Sequence, residues 1–260
     1  MKSFSVSRFG QLLKWDLFMN KKYLMRLFIG MFMAFFIVLF VMGVVLGGGI
    51  GSSFMLSMVM MWFYLMLGGC WMFSTMQTQQ QRLNFLMQPA SNLEKFAVRW
   101  VFVTVVWAFI GIAAYLLADV LQYALSHVAS IWTPEFATSY FSMPTLRLFG
   151  NEVPLVLSKM LVLFLLGIVW HHSLFMLGGT FFRRHQFIFT ALALFVVSQV
   201  FTVLVFAMGM NINWEMYTIN EDVLYYYIVF GLAALIILDY VLSFRIFKRM
   251  QIINNKWMNV

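Results

Sequence analysis

Charge is what this chain has least of. Only 10% of its 260 residues are Asp, Glu, Lys or Arg, against about 25% in ordinary soluble domains. With 63% of residues apolar, a soluble fold of this length has too little polar surface to cover its core. Cysteine is nearly absent as well. The single Cys70 excludes a disulfide framework within one chain, and its apolar setting suits packing better than chemistry. The common motifs of enzymes are also missing. There is no Gly-x-Ser-x-Gly, no His-Glu-x-x-His and no Gly-x-x-x-x-Gly-Lys-Ser/Thr. The glycine-rich stretch Gly47–Gly51 lacks the lysine of a phosphate loop. The chain is therefore read as no enzyme, and any energy it uses comes from a partner.

What remains is a polytopic, all-α integral membrane protein. Charge-free or nearly charge-free runs predict six transmembrane helices at about residues 27–46, 54–73, 100–118, 155–179, 187–208 and 224–244. The run Leu27–Leu46 alone is about 30 Å long as a helix, enough to cross the hydrocarbon core. Residues 1–26 are too polar to span. Phe9, Leu12, Leu13, Leu17 and Leu24 share a helical face, which Asp16 and Asn20 interrupt. An amphipathic helix in the headgroup layer is expected there, the alternative being a disordered basic leader that only sets topology. No small-x-small cleavage site follows the first run, so no cleaved signal peptide is expected. The whole chain, 1–260, reads as a single transmembrane domain.

The net charge of +8 reports orientation. Placing the N-terminus inside puts fifteen of the seventeen basic residues on the inner side, leaving Arg147 and Lys159 outside. Glu135, Glu152, Glu215, Glu221 and Asp222 then fall outside. Both termini are accordingly cytoplasmic, in a cell (inner) membrane. The charge points to anionic lipid headgroups as partners rather than to nucleic acid.

One polar island interrupts the apolar chain on the inner side, between spans two and three: Gln88–Trp100. Pro89 ends what precedes it. Ser91 and Glu94 have capping-box spacing, the hydroxyl facing the N–H three residues on and the carboxylate reaching back to the Ser91 N–H. The alternatives are a presented docking helix and a plain lead-in to the third span.

Polar groups inside spans are functional candidates by default. His171 and His172 lie with Ser173 in the inner half of the fourth span. Adjacent positions diverge by about 100°, so the two rings cannot face one ligand. They line a cavity, relay a proton, or hydrogen-bond between helices. Ser198 and Gln199 in the fifth span and Asp239 in the sixth complete a candidate intramembrane polar pathway. Arg26 or Arg245 could neutralise Asp239, and Asp119 could pair with Lys159. The methionines of the second span lack an accompanying Cys or His cluster, so no metal site and no cofactor are expected.

The segments Leu86-Met87-Gln88-Pro89-Ala90-Ser91-Asn92-Leu93-Glu94-Lys95 and Leu177-Gly178-Gly179-Thr180-Phe181-Phe182-Arg183-Arg184, within this layout, resemble the membrane subunit of ABC-2 type exporters. The resemblance covers the layout of the whole chain and about a dozen motif residues. It implies a permease that moves a substrate using a separate cytosolic ATP-binding subunit. That subunit would dock on a coupling helix carrying Pro89, Ser91, Asn92, Glu94, Lys95 and Arg99, and the permease would pair as a homodimer or heterodimer. In better-known members the elaborated outer loop lies between spans five and six, whereas here the long loop lies between three and four. The alternative reading is a non-transporting membrane scaffold of the interaction or immunity type.

Overall fold

The computed structural model describes residues 4–47, 49–76, 79–129, 134–142, 145–148, 151–154, 159–182, 185–209 and 221–249. Arg183, Arg184, the loop at 210–220 and the tail from 250 lie outside the described residues. Apolar side chains with few breakers give helices almost throughout. Five of them are long and apolar enough to cross a membrane: Lys21–Val45, Ile50–Phe73, Asn92–Val128, Val162–Phe181 and Val223–Arg249. Among the described residues, a sixth stretch of apolar helix, Gln186–Val200, is shorter.

By internal contacts the chain divides into two compact units, Met1–Leu65 with Ala97–Met160, and Met66–Phe96 with Leu161–Val260. In the first unit, α1 (Val6–Met19) ends at Asn20, earlier than the expected boundary at residue 26. The Asn20 amide donates to the Asp16 carbonyl at 2.8 Å and to Asp16 Oδ1 at 3.2 Å. That side chain thus satisfies a carbonyl at the helix end. Residues 21–26 instead begin α2 (Lys21–Phe36), which continues as a π-helical stretch, Ile37–Val45. The turn at Gly47 and Gly49 has positive φ at both glycines (70° and 80°), which glycine adopts without strain.

α3 (Ile50–Cys70) follows. After a second π-helical stretch at Phe102–Val106, α6 (Trp107–Ala129) packs along α2. The core between them holds Phe35, Leu39, Phe54, Ala114, Tyr115 and Ala118. Gly111 admits α3 closely, since a Cβ there would lie 2.7 Å from the Tyr64 ring. The Tyr64 hydroxyl donates to the Trp107 carbonyl at 2.9 Å.

The third span was expected to end at Asp119, but α6 runs on to Ala129. No Gly or Pro follows Asp119 within it, and the Asp119 carboxylate is occupied by a later segment. Oδ1 accepts from the Ala137 N–H at 2.8 Å, and Oδ2 from the Thr138 N–H and hydroxyl at 3.0 and 2.8 Å. Asp119 thereby holds a 3₁₀ turn, Ala137–Ser142; the pairing with Lys159 that the sequence suggests lies outside the described side chains. The chain is helical as expected, and the loop beyond adds two short strands. β1 (Thr145–Leu148) and β2 (Asn151–Pro154) pair antiparallel, with Arg147 and Glu152 in register along the backbone.

In the second unit, the short helix α4 (Gln79–Leu86) precedes the N-terminal part of α5 (Asn92–Val101). The long helices are α7 (Lys159–Phe181), α8 (Gln186–Gly209) and α9 (Glu221–Arg249). Close crossing of α3 and α7 depends on small residues. A Cβ on Gly69 would lie 2.7 Å from the His172 carbonyl oxygen, and one on Gly179 2.7 Å from that of Cys70. Close backbone approach of this kind stands in for the hydrophobic drive that lipid does not supply. The α7–α8 turn places His185 at φ 48°, and Gln186 Nε2 ties it by donating to the Gly179 carbonyl at 2.9 Å.

Candidate functional site

The polar island takes its shape from its own side chains. Gln88–Ala90 forms the bend that Pro89 favours, with the Ala90 N–H on the Gln88 carbonyl at 2.8 Å. The capping box is formed: the Ser91 N–H donates to Glu94 Oε2 at 2.7 Å, and the Glu94 N–H to Ser91 Oγ at 3.2 Å. Two of the four orphan donors at this helix start are so satisfied. Lys95 adds a reciprocal clamp. Its Nζ donates to the carbonyl of Leu86, the last residue of α4, at 2.6 Å. A cation at a helix C-terminus also meets the negative end of the dipole.

Burial separates the expected docking residues into two groups. Glu94 is fully buried, and Lys95 and Arg99 are 3% and 5% exposed. They hold the segment internally. Pro89 and Asn92 are exposed, as are Met87 (75%) and Leu93 (50%). The surface presented at this bend is therefore short and largely apolar. Phe96, one turn further on, turns inward onto the rings of Phe244 and Phe247 on α9. α5 is also not a separate helix. It continues through the π-helical stretch into α6, so that helix is unbroken from Asn92 to Val128.

In the first unit, the Arg99 guanidinium lies 3.4 Å from Asp16 Oδ1 on α1, with both side chains almost fully buried. The second carboxylate oxygen, Oδ2, is buried without a hydrogen-bond partner among the described residues. Burial pushes the Asp16 carboxyl above its usual value, while Arg99 and Asn20 pull it back down. The sequence carried a sign of this pair, since Asp16 interrupts the apolar face of α1. Its partner, 83 positions away, had no local signal.

The intramembrane candidates are only partly brought together. Ser173 Oγ lies 2.8 Å from Asp239 Oδ2 and 2.8 Å from the Trp170 carbonyl, its one proton serving either. Asp239 thus meets a hydroxyl on α7, where the sequence suggested Arg26 or Arg245. His171 Nδ1 is 2.7 Å from the carbonyl of Gly167, within its own helix, while His172 is buried. Ser198 and Gln199 lie exposed on α8, and the Ser198 hydroxyl turns back to the Phe195 carbonyl at 2.7 Å. The α8 residues are therefore not gathered with Ser173 and Asp239.

Comparison with protein-family models, curated proteins and solved structures yields no match for this chain.

Proposed function

We propose that this chain is the membrane permease subunit of an ABC-2 type exporter, driven by a separate cytosolic ATPase. The observation that carries the reading is the bend between the second and third long apolar helices. It is rigidly capped by Ser91 and Glu94, clamped by Lys95, and exposes Met87, Pro89, Asn92 and Leu93. A stiff, partly apolar protrusion transmits a push from a soluble partner with little loss of motion. In this reading the apolar part of α8 is a sixth span, both termini are cytoplasmic, and α1 lies in the inner headgroup layer. Trp15, Phe18 and Met19 are exposed on α1, as a helix resting on lipid requires. Two permease subunits, identical or paired with a related chain, would complete the transporter. The substrate class stays open.

The test is purification of the intact protein in mild detergent from its native membrane, with identification of co-purifying proteins. A P-loop ATPase is expected. Met87→Asp and Leu93→Arg should each release it while the permease stays folded in the membrane. Failure to recover any ATPase, or its undiminished recovery with both variants, would refute the reading and favour a non-transporting scaffold.

A further inference from the structure

The first unit contains a cavity of about 240 Å³ at the end of its helices remote from Arg99. It lies where the π-helical stretch (Gly43), the glycine turn (Gly49), the last turns of α6 (Gln122, Ser126) and the 134–142 segment (Glu135, Tyr140) meet. It is smaller than the roughly 300 Å³ at which drug-sized pockets begin, so it suits a few heavy atoms or one end of a larger molecule.

The lining is rich in acceptors. Gln122 is fully buried, and its Oε1 has no hydrogen-bond partner among the described residues. Its Nε2 is already engaged, donating to Ser126 Oγ at 3.2 Å. The Ser126 hydroxyl in turn spends its proton on the Gln122 carbonyl at 2.8 Å. One amide N–H and the hydroxyl proton of this pair are thus engaged, while the amide oxygen is unmet and a hydroxyl lone pair remains. Leaving a buried acceptor unmet is costly, so the site is built for something that donates. The charge is of one sign as well. Glu135 is the carboxylate among the described lining, and it is exposed at the edge. A donor that also carries positive charge meets both features.

We propose that this cavity binds a primary alkylammonium group, donating to Gln122 Oε1 with Glu135 supplying the counter-charge. The group belongs either to a small soluble amine or to an ethanolamine lipid headgroup. The proposal does not depend on the exporter reading, since it concerns a cavity within one unit and involves no ATPase.

The test uses the full chain in mild detergent and follows melting temperature against ligand concentration. Ethanolammonium chloride should stabilise the protein saturably. Tetramethylammonium, with the same charge and no N–H, should bind at least tenfold more weakly. Glu135→Gln at the exposed edge and Gln122→Met in the wall should each weaken ethanolammonium binding at least tenfold. Should Gln122→Met misfold, the surface variant decides alone. A parallel titration compares short-chain phosphatidylethanolamine with phosphatidylcholine. A tenfold preference for the former assigns the group to lipid. No preference, with the soluble amine still selective, assigns it to a free amine. Absence of saturable ethanolammonium binding, equal binding of tetramethylammonium, or unchanged affinity in Glu135→Gln overturns the proposal.

Discussion

The Asp16–Arg99 pair joins α1 to the start of the third apolar helix, and its two members should respond unequally to mutation. Both side chains are almost fully buried, with 3.4 Å between guanidinium and carboxylate. Removing one partner of such a pair typically costs about 3–5 kcal/mol, because the other charge is left desolvated. Asp16→Ala strands a guanidinium that cannot shed its charge, so it should take the full cost. At about 2–4 °C per kcal/mol for a chain of this size, melting should fall by roughly 10 °C. Arg99→Met strands a carboxylate that can take up a proton and should cost less.

The pH dependence follows from the direction of the Asp16 shift. Its carboxyl titrates above the usual value when folded. The folded chain therefore holds a proton that the unfolded chain has already released, and stability falls as pH rises through that window. Without Arg99 the principal downward pull is gone, and the window extends upward. Arg99→Met should thus regain melting temperature as pH falls from neutral into the mildly acidic range, whereas Asp16→Ala, lacking the titrating group, should not regain it. The double variant Asp16→Asn with Arg99→Met should be less damaged than Asp16→Ala. Detergent-solubilised protein, melted by fluorescence-detected size exclusion across that pH range, provides the assay. Equal losses in both single variants, no acid recovery in Arg99→Met, or simple addition of the losses in the double variant would refute the reasoning.

Other outcomes follow from separate contacts. Gly179→Val should displace the α3–α7 crossing, because even a Cβ would lie 2.7 Å from the Cys70 carbonyl. A loss of about 1–3 kcal/mol is expected, read as reduced folded yield and melting temperature. Asp119→Asn cannot accept from two backbone N–H groups and a hydroxyl as the carboxylate does. It should loosen the Ala137–Ser142 turn by about 1.5–3 kcal/mol, seen as faster limited proteolysis there with the long helices intact. Ser91→Ala removes one arm of the capping box and should lower stability by about 1 kcal/mol, detected as a small fall in melting temperature.

The sequence exposed whatever depended on local spacing. Long apolar runs located the helices that can span, and Ser91 with Glu94 announced the capping box from three positions apart. The signals failed where a side chain has a partner far along the chain. Asp119 looked like the end of a span because charges usually sit at the water interface, yet it caps a turn eighteen residues later. Asp239 invited a cationic partner by charge alone, and the structure gives it the Ser173 hydroxyl instead. Gln122 carried no signal at all. One amide on a long helix says nothing until Gly43, Ser126 and Glu135 surround it.

The same distinction governs how the docking reading should be tested. Sequence reasoning favours Glu94 and Lys95, because charged residues in a capped polar segment look available. The structure uses Glu94 to satisfy the Ser91 N–H and Lys95 to close the Leu86 carbonyl, both away from solvent. Replacing either would disturb the bend itself, and loss of a partner could not be told from loss of shape. Leu93, half exposed and without such a task, separates the two. Cys70 is the chain's only cysteine and is buried. Leu93→Cys therefore introduces a single accessible thiol in the otherwise native protein. A membrane-impermeant maleimide should label it in inside-out vesicles and leave it unlabelled in intact cells. A bound ATPase should protect it, and ATP-driven cycling should modulate that protection. Labelling from outside the cell would reverse the proposed orientation and refute the proposed cytosolic docking surface with it.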